Sequence, residues 1–181
     1  MVRKLGDKAA LALRQVEILA YIALGCSHEQ TAYLLGISVY TVKTYLRQVL
    51  EKLGARGRAH AVMLALLKGL LDLETLKEAE VPKELEIDWT GGPLVEQILT
   101  LIALGYHNKD ISLALNYSEQ YIKNIIQAIS DKLGARNRVH LATLAYIHRK
   151  LDFERLGIEM ATEQLSSVPI SSSTSLVPDT P

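Results

Sequence analysis

Apolar residues along the first seventy positions fall into helical rather than strand periodicity. Leu11, Gln15, Ile18, Leu19 and Ile22 follow a 3.6-residue repeat and predict an amphipathic helix ending near Gly25. Ser27 stands where a side-chain oxygen caps a second helix, with Gln30 three residues on as its capping-box partner, and Gly36 breaks that helix early. Ser38 then caps a third helix running to about Leu53, stopped by Gly54. Arg58 to about Leu67 forms a fourth, with Ala61, Leu64, Ala65 and Leu67 apolar. No window alternates with period two long enough to predict a strand.

The whole pattern then recurs 80 positions later without a gap. Ile22-Ala23-Leu24-Gly25 meets Ile102-Ala103-Leu104-Gly105, and Lys52-Leu53-Gly54-Ala55-Arg56 meets Lys132-Leu133-Gly134-Ala135-Arg136. Positions 18–76 match their shifted counterparts at 22 of 59 places, too many for chance, so the chain holds two copies of one unit. The second copy is expected from about Leu94 to Lys150, after a Gly91-Gly92-Pro93 break. Asn116 stands where the first copy has Gly36, and Asn is the side chain that best tolerates the positive φ of a tight turn. The expected fold is all-α: a four-helix unit in 1–73, an acidic connector in 74–92, a divergent unit in 93–153, and in 154–181 a short helix and disordered tail. The tail expectation rests on six Ser, two Thr and three Pro among the last 16 residues. At about 60 residues each unit is near the lower limit for an independent core. Mutual packing, or cover from Leu73, Leu76 and Trp89, is therefore expected to stabilise it.

Composition narrows the class. With 49% hydrophobic and 22% charged residues, the 181-residue chain is globular. The single Cys26 excludes a disulfide framework and a cysteine-based zinc site. No charged-then-apolar leader opens the sequence, and the apolar run Ala61 to Leu67 is far short of the ~20 residues of a membrane helix. A soluble, cytoplasmic protein without membrane contact is expected. Twenty Lys+Arg cancel twenty Asp+Glu, yet the cancellation is uneven. Residues 1–73 carry 10 basic and 5 acidic side chains, while 74–92 carry 2 and 6. A basic module followed by an acidic connector restores the polyanion partner that the net charge of zero argues against.

On the third helix, Val42, Leu46, Val49 and Leu53 recur at i, i+4, i+7 and i+11 and form the buried stripe. The opposite face carries Tyr40, Lys43, Thr44 and Arg47. A short helix, a tight turn and then a helix with cations and a hydroxyl on one face is the helix-turn-helix arrangement, whose second helix enters the major groove. Lys43 and Arg47 can reach phosphates or guanine O6 and N7, the Thr44 methyl can touch a thymine methyl, and Tyr45 can donate to a phosphate. Arg56 and Arg58 add positive charge just beyond the helix.

Gly25-Cys26-Ser27, Leu35-Gly36-Ile37-Ser38, Thr41-Val42-Lys43-Thr44-Tyr45-Leu46 and Lys52-Leu53-Gly54-Ala55-Arg56 resemble the LuxR/GerE-type DNA-binding domain, from Leu11 to Leu71. The resemblance implies a four-helix domain that binds promoter DNA and dimerises through its last helix. It also implies base contacts at Lys43, Thr44 and Arg47 and a backbone contact at Tyr45, with Ser38, Tyr40 and Thr41 beside them. Relatives commonly carry an N-terminal receiver or ligand-binding domain. Only about ten residues precede the first helix here, so phosphorylation or autoinducer control within this chain is not expected.

The second unit keeps the turn and the stripe, as Ile122, Ile126, Ile129 and Leu133, but changes the reading face. Thr41 becomes Tyr121, Tyr45 becomes Ile125 and Arg47 becomes Gln127, leaving Ser118 as the cap and Gln120, Lys123, Asn124 and Gln127 exposed. Asn and Gln bond adenine bidentately, so the face suits an A-containing half-site; alternatively it has lost DNA binding and is a solvated or protein-binding surface.

Catalytic and metal readings are weaker. Ser27-His28-Glu29 holds nucleophile, base and acid types, but adjacent residues do not converge on one side chain. The five histidines, His28, His60, His107, His140 and His148, show no metal-ligand spacing, and no Gly-rich phosphate loop exists. Neither an enzyme nor a cofactor or metal is expected. The leading expectation is a transcription regulator, cytoplasmic and nucleoid-associated, whose tandem units read adjacent half-sites on double-stranded DNA. The connector could reach roughly 50–60 Å, against ~34 Å between adjacent major-groove faces. The rivals are an adaptor, whose first unit tethers it to DNA while the second and the tail bind RNA polymerase or another regulator, and a protein-interaction module whose units counter another regulator by forming mixed dimers through the fourth helices. A homodimer through the same helices is a further expectation.

Overall fold

The computed structural model describes residues 11–72, 92–152 and 154. Among the described residues the helices run in order α1 (Leu13–Ala23), α2 (His28–Leu35), α3 (Val39–Leu53), α4 (Arg58–Leu67), α5 (Gly92–Ala103), α6 (Asn108–Leu115), α7 (Glu119–Leu133) and α8 (Arg138–Ile147). The described residues contain no strand. The connector, with Leu73, Leu76 and Trp89, and the tail beyond Glu154 lie outside them.

The local signals act where the sequence places them. The Ser27 side chain accepts from the Gln30 N–H at 3.1 Å, while the Ser27 N–H donates to Gln30 Oε1 at 2.8 Å, closing the capping box of α2. Ser38 and Ser118 accept from the N–H groups of Thr41 and Tyr121, capping α3 and α7. Gly36 and Asn116 end α2 and α6 at φ 62 and 58, so both turns use the left-handed conformation. Pro93 does not break the chain as expected. It lies in the first turn of α5, where a residue without an N–H leaves no helical bond unmade.

The two units are not beads on a string. One continuous core of buried side chains joins them, including Ile18, Leu19 and Ile22 of α1, Val42 and Val49 of α3, and Ile98, Leu99 and Ile102 of α5. The fourth helices explain why. Every residue of α4 from Ala59 to Leu66 is buried, and Val139, Leu141, Ala142, Thr143, Leu144 and Ala145 are buried on α8. A helix buried all round needs neighbours on both sides. Its own unit covers one side, and α4 packs directly on α8 to cover the other. The faces expected to pair two chains are therefore already paired within one. The span of the connector ceases to matter, because the interface sets the separation of the units.

The α3 stripe is fully buried as expected. On α7 only Ile122 and Leu133 are buried, and Ile126 and Ile129 are half-covered. A polar latch distinguishes the two cases. The buried Gln15 side chain on α1 donates to Gln48 Oε1 at 3.0 Å and accepts from Lys52 Nζ at 3.0 Å, holding α1 against α3. The matching positions are Val95 and Ala128, which can form no such bond, so α7 sits more loosely on its unit.

The shared turn geometry makes a prediction. Gly36→Asn should be nearly neutral, because the second unit already carries Asn in that conformation, whereas Gly36→Val should cost about 1–2 kcal/mol more. Thermal denaturation compares them; equal melting temperatures would contradict the left-handed turn.

Candidate nucleic-acid interface

Residues 40, 43, 44 and 47 lie on one side of α3, opposite its buried stripe. Tyr40 is 79% exposed, Lys43 and Arg47 are exposed, and Thr44 is half-buried. The Thr44 hydroxyl donates to the Tyr40 carbonyl at 2.9 Å, so it can offer a ligand its methyl and an accepting oxygen but no donor. Among the described residues neither Lys43 nor Arg47 has an ion-pair partner, leaving both cations available to an anion. Tyr45 packs its half-buried ring against the core beside this face. Ser38 and Thr41 share a hydrogen bond of 2.8 Å at the helix start. Arg58 is exposed, its guanidinium 3.4 Å from His28 Nε2. Partial burial, then Arg58 and Lys43, hold the His28 imidazole below its usual range, against the opposing pull of Glu29. Arg58 and Lys43 thus stand beside the N-terminus of α2, where the Glu29 carboxylate already bonds its own backbone N–H and is held below its ordinary range chiefly by that bond.

Arg56 does not join this face. Its guanidinium reaches across to the second unit, with Nη1 3.5 Å from the Leu104 carbonyl and Cζ 4.8 Å from the centre of the Tyr106 ring. The sequence expectation that it adds attraction beside α3 therefore meets a residue directed to the contact between units.

The α7 face is chemically quieter. Lys123 pairs with Glu119 at 2.8 Å, Gln120 donates to Asn124 at 2.9 Å, and Gln127 donates to Asp131 at 2.7 Å. Ser118 remains a helix cap. The ion pair is solvent-exposed, so exchanging it for a phosphate costs little, about 0–1 kcal/mol. Glu119, absent from the sequence reasoning, sits in the first turn where the first unit has Val39. Tyr117 and Tyr121 stack at 5.1 Å, each 45% exposed. Arg138, the counterpart of Arg58, is tied down: it donates to Asn108 Oδ1 at 2.7 Å and to the Tyr106 carbonyl at 2.6 Å. Only the first unit leaves this arginine at the surface.

A second group of residues missed in the sequence lies between the units. A Cβ on Gly25 would stand 2.9 Å from His140 Cβ, and one on Gly105 would stand 3.1 Å from His60 Cβ. Both glycines also adopt positive φ, 82 and 86, so no other residue fits these corners without strain. His60 and His140 each accept a backbone N–H on Nδ1, from Arg56 at 3.2 Å and Arg136 at 3.1 Å. Their matched positions in the repeat were visible; their contact across it was not. Among the described residues no cluster of His, Cys, Asp or Glu could hold a metal, and no helix is long and apolar enough to cross a membrane.

Two capped helices joined by a left-handed turn, with a cationic face on the second, define a helix-turn-helix protein. The sequence profile of GerE, the bacterial regulatory proteins of the luxR family, matches residues 9–65 and 96–145, one stretch in each unit. With more than half of its length matched, the chain belongs to that family. It is 44% identical over 61 residues to the HTH-type transcriptional activator RamA of Corynebacterium glutamicum, covering 34% of this chain and 22% of RamA. It is 36% identical over 73 residues to the transcriptional regulatory protein YdfI of Bacillus subtilis, covering 40% and 34%. It is 40% identical over 58 residues to the nitrate/nitrite response regulator protein NarP of Escherichia coli, covering 32% and 27%. The similarity thus spans about a third or less of each relative. No solved structure gives a significant match.

Burial and the Arg136 charge hold the His140 imidazole below its ordinary range, and burial first among the causes does the same to His28 and His148. A lowered histidine pKa means the unfolded chain binds protons first as pH falls. The stability is then complete above about pH 6.5 and declines below it. The melting temperature should fall between pH 7.5 and 5.5, and His140→Asn should flatten part of that slope. A melting temperature that rises over this range would contradict the buried neutral imidazole.

Proposed function

We propose that the protein is a transcription regulator that binds double-stranded DNA sequence-specifically, with both helix-turn-helix units reading adjacent major-groove half-sites. The reading divides the chain into a first DNA-binding domain at 1–73 and a second at 93–153. The observation that carries it is the α3 face. Lys43 and Arg47 stand exposed without ion-pair partners, one and two turns along a helix whose N-terminus is capped and whose opposite side is locked into the core. Ser38, Thr41, Tyr45 and Arg58 flank that face at phosphate-contact positions. In the second unit Ser118, Gln120, Lys123, Asn124 and Gln127 occupy the equivalent region, with chemistry suited to adenine rather than guanine. Family membership in both stretches supports the same assignment. A cytoplasmic, nucleoid-associated location follows from it.

A specific observation favours a second reading, in which the second unit contacts RNA polymerase or another regulator. Glu119 places a carboxylate at the start of α7, the amides of that face bond within the helix, and Tyr117 and Tyr121 present a stacked aromatic surface. Repulsion between that carboxylate and phosphates weakens DNA contact.

Selection of random duplexes on the purified chain separates the two. The tandem reading predicts a two-part site, with one part lost in the Lys123→Ala/Asn124→Ala/Gln127→Ala variant. The adaptor reading predicts one short site for both proteins. On the selected duplex, Lys43→Ala and Arg47→Ala should each weaken binding by about 1–3 kcal/mol if they read bases. Unchanged affinity in both variants would remove the α3 face from the account.

A further inference from the structure

We infer that one chain is a complete twofold reader: its fourth helices close on each other internally, so a single copy occupies one dyad-related pair of unequal half-sites in a single orientation. The inference rests on the tandem reading above and adds its geometry and stoichiometry.

The contacts between units are reciprocal. Gly25 of the first unit meets His140 and Arg136 of the second; Gly105 of the second meets His60 and Arg56 of the first. Arg136 Nη1 lies 3.4 Å from the Leu24 carbonyl, and Arg56 Nη1 lies 3.5 Å from the Leu104 carbonyl. Each of these pairs maps onto the other by the 80-residue offset of the repeat. The helices repeat the relation, with α1 on α8 and α5 on α4, and α4 on α8 at the centre. Two units stacked in the same direction would join unlike surfaces and leave one copy of each unused. Only a twofold axis places both copies of the same contact in one interface. The axis relates α3 to α7, and a protein dyad of this kind matches DNA half-sites related by a dyad, not a direct repeat.

The pairing also buries Ala59 to Leu66 of α4 and Leu141 to Ala145 of α8, so this apolar surface is already covered within one chain. The interface holds two contacts that a pair of first units cannot make. Asn137 Nδ2 donates to the Gly25 carbonyl at 2.9 Å, and Arg56 lies over Tyr106. Two copies of the first unit would have neither contact, because they offer Gly57 and Cys26 at those places. The two reading faces differ as well: Lys43, Thr44 and Arg47 on α3 against Lys123, Asn124 and Gln127 on α7. Such a reader distinguishes the two directions along a promoter, which a symmetric homodimer cannot do by itself.

The test uses the full chain and the duplex recovered by selection. Sedimentation of the free protein should give a monomer at micromolar concentration, and native mass measurement should give one chain per two-part duplex. Affinity should fall by about tenfold or more when the second half-site is reversed to a direct repeat, because the tethered contact is then geometrically forbidden. It should also fall when both halves are copies of the first. Two chains per duplex, a stable free dimer or equal affinity for the direct repeat would overturn the inference while leaving two-part recognition intact. A selected site with one part only would overturn the tandem reading, and this inference with it.

Discussion

The architecture depends on the close approach of each unit's first-helix corner to the other's fourth helix. Gly25 and Gly105 turn the chain at positive φ and leave no space for a side chain, so backbone meets the Cβ atoms of His140 and His60 directly. That approach allows α4 and α8 to bury the apolar surface that their own small units leave uncovered. A 60-residue helical unit has little core to spare, and merging two cores raises the buried fraction for both. The same contact fixes how α3 and α7 are disposed. On the tandem proposal, reading geometry and folding stability therefore share one cause.

Much of this was legible along the chain, because caps, turns and stripes are local. Ser27 with Gln30, Ser38, Gly54 and Asn116 act within a few residues of themselves, and each has the expected role. The Val42, Leu46, Val49 and Leu53 stripe was equally plain, since a single helix has one inward side. Pairing between units was harder to see. Periodicity on α4 picked out Ala61, Leu64, Ala65 and Leu67 but passed over Val62, Met63 and Leu66, whose apolar character completes the second buried face. An unbroken apolar helix in so small a unit was the available signal. Arg56 illustrates the limit: a cation just past a recognition helix reads as a phosphate contact, and only tertiary structure turns it toward Tyr106.

The two proposed reading faces differ in how far their polar groups are already engaged. On α3 the polar latch from Gln15 fixes the helix while Lys43 and Arg47 remain unpaired, so binding an anion breaks no described ion pair. On α7 the stripe is less covered, and Lys123 has Glu119 beside it. Bringing that face to DNA requires side chains to exchange partners within the helix for partners on the duplex. This suits a dominant first contact and a weaker second one that tethering reinforces. A net charge of zero is compatible with this proposal, because the excess of basic over acidic side chains is larger in residues 1–73 than in 93–153 and the acidic excess lies outside both.

Hydroxyl-radical footprinting of the full chain on its selected duplex tests the central claim most directly. Two protected tracts on one side of the duplex, separated by about one helical turn, are predicted. The second should be lost in the Lys123→Ala/Asn124→Ala/Gln127→Ala variant while the first survives. A single tract that the variant leaves unchanged would contradict the account and leave α7 without a role on DNA.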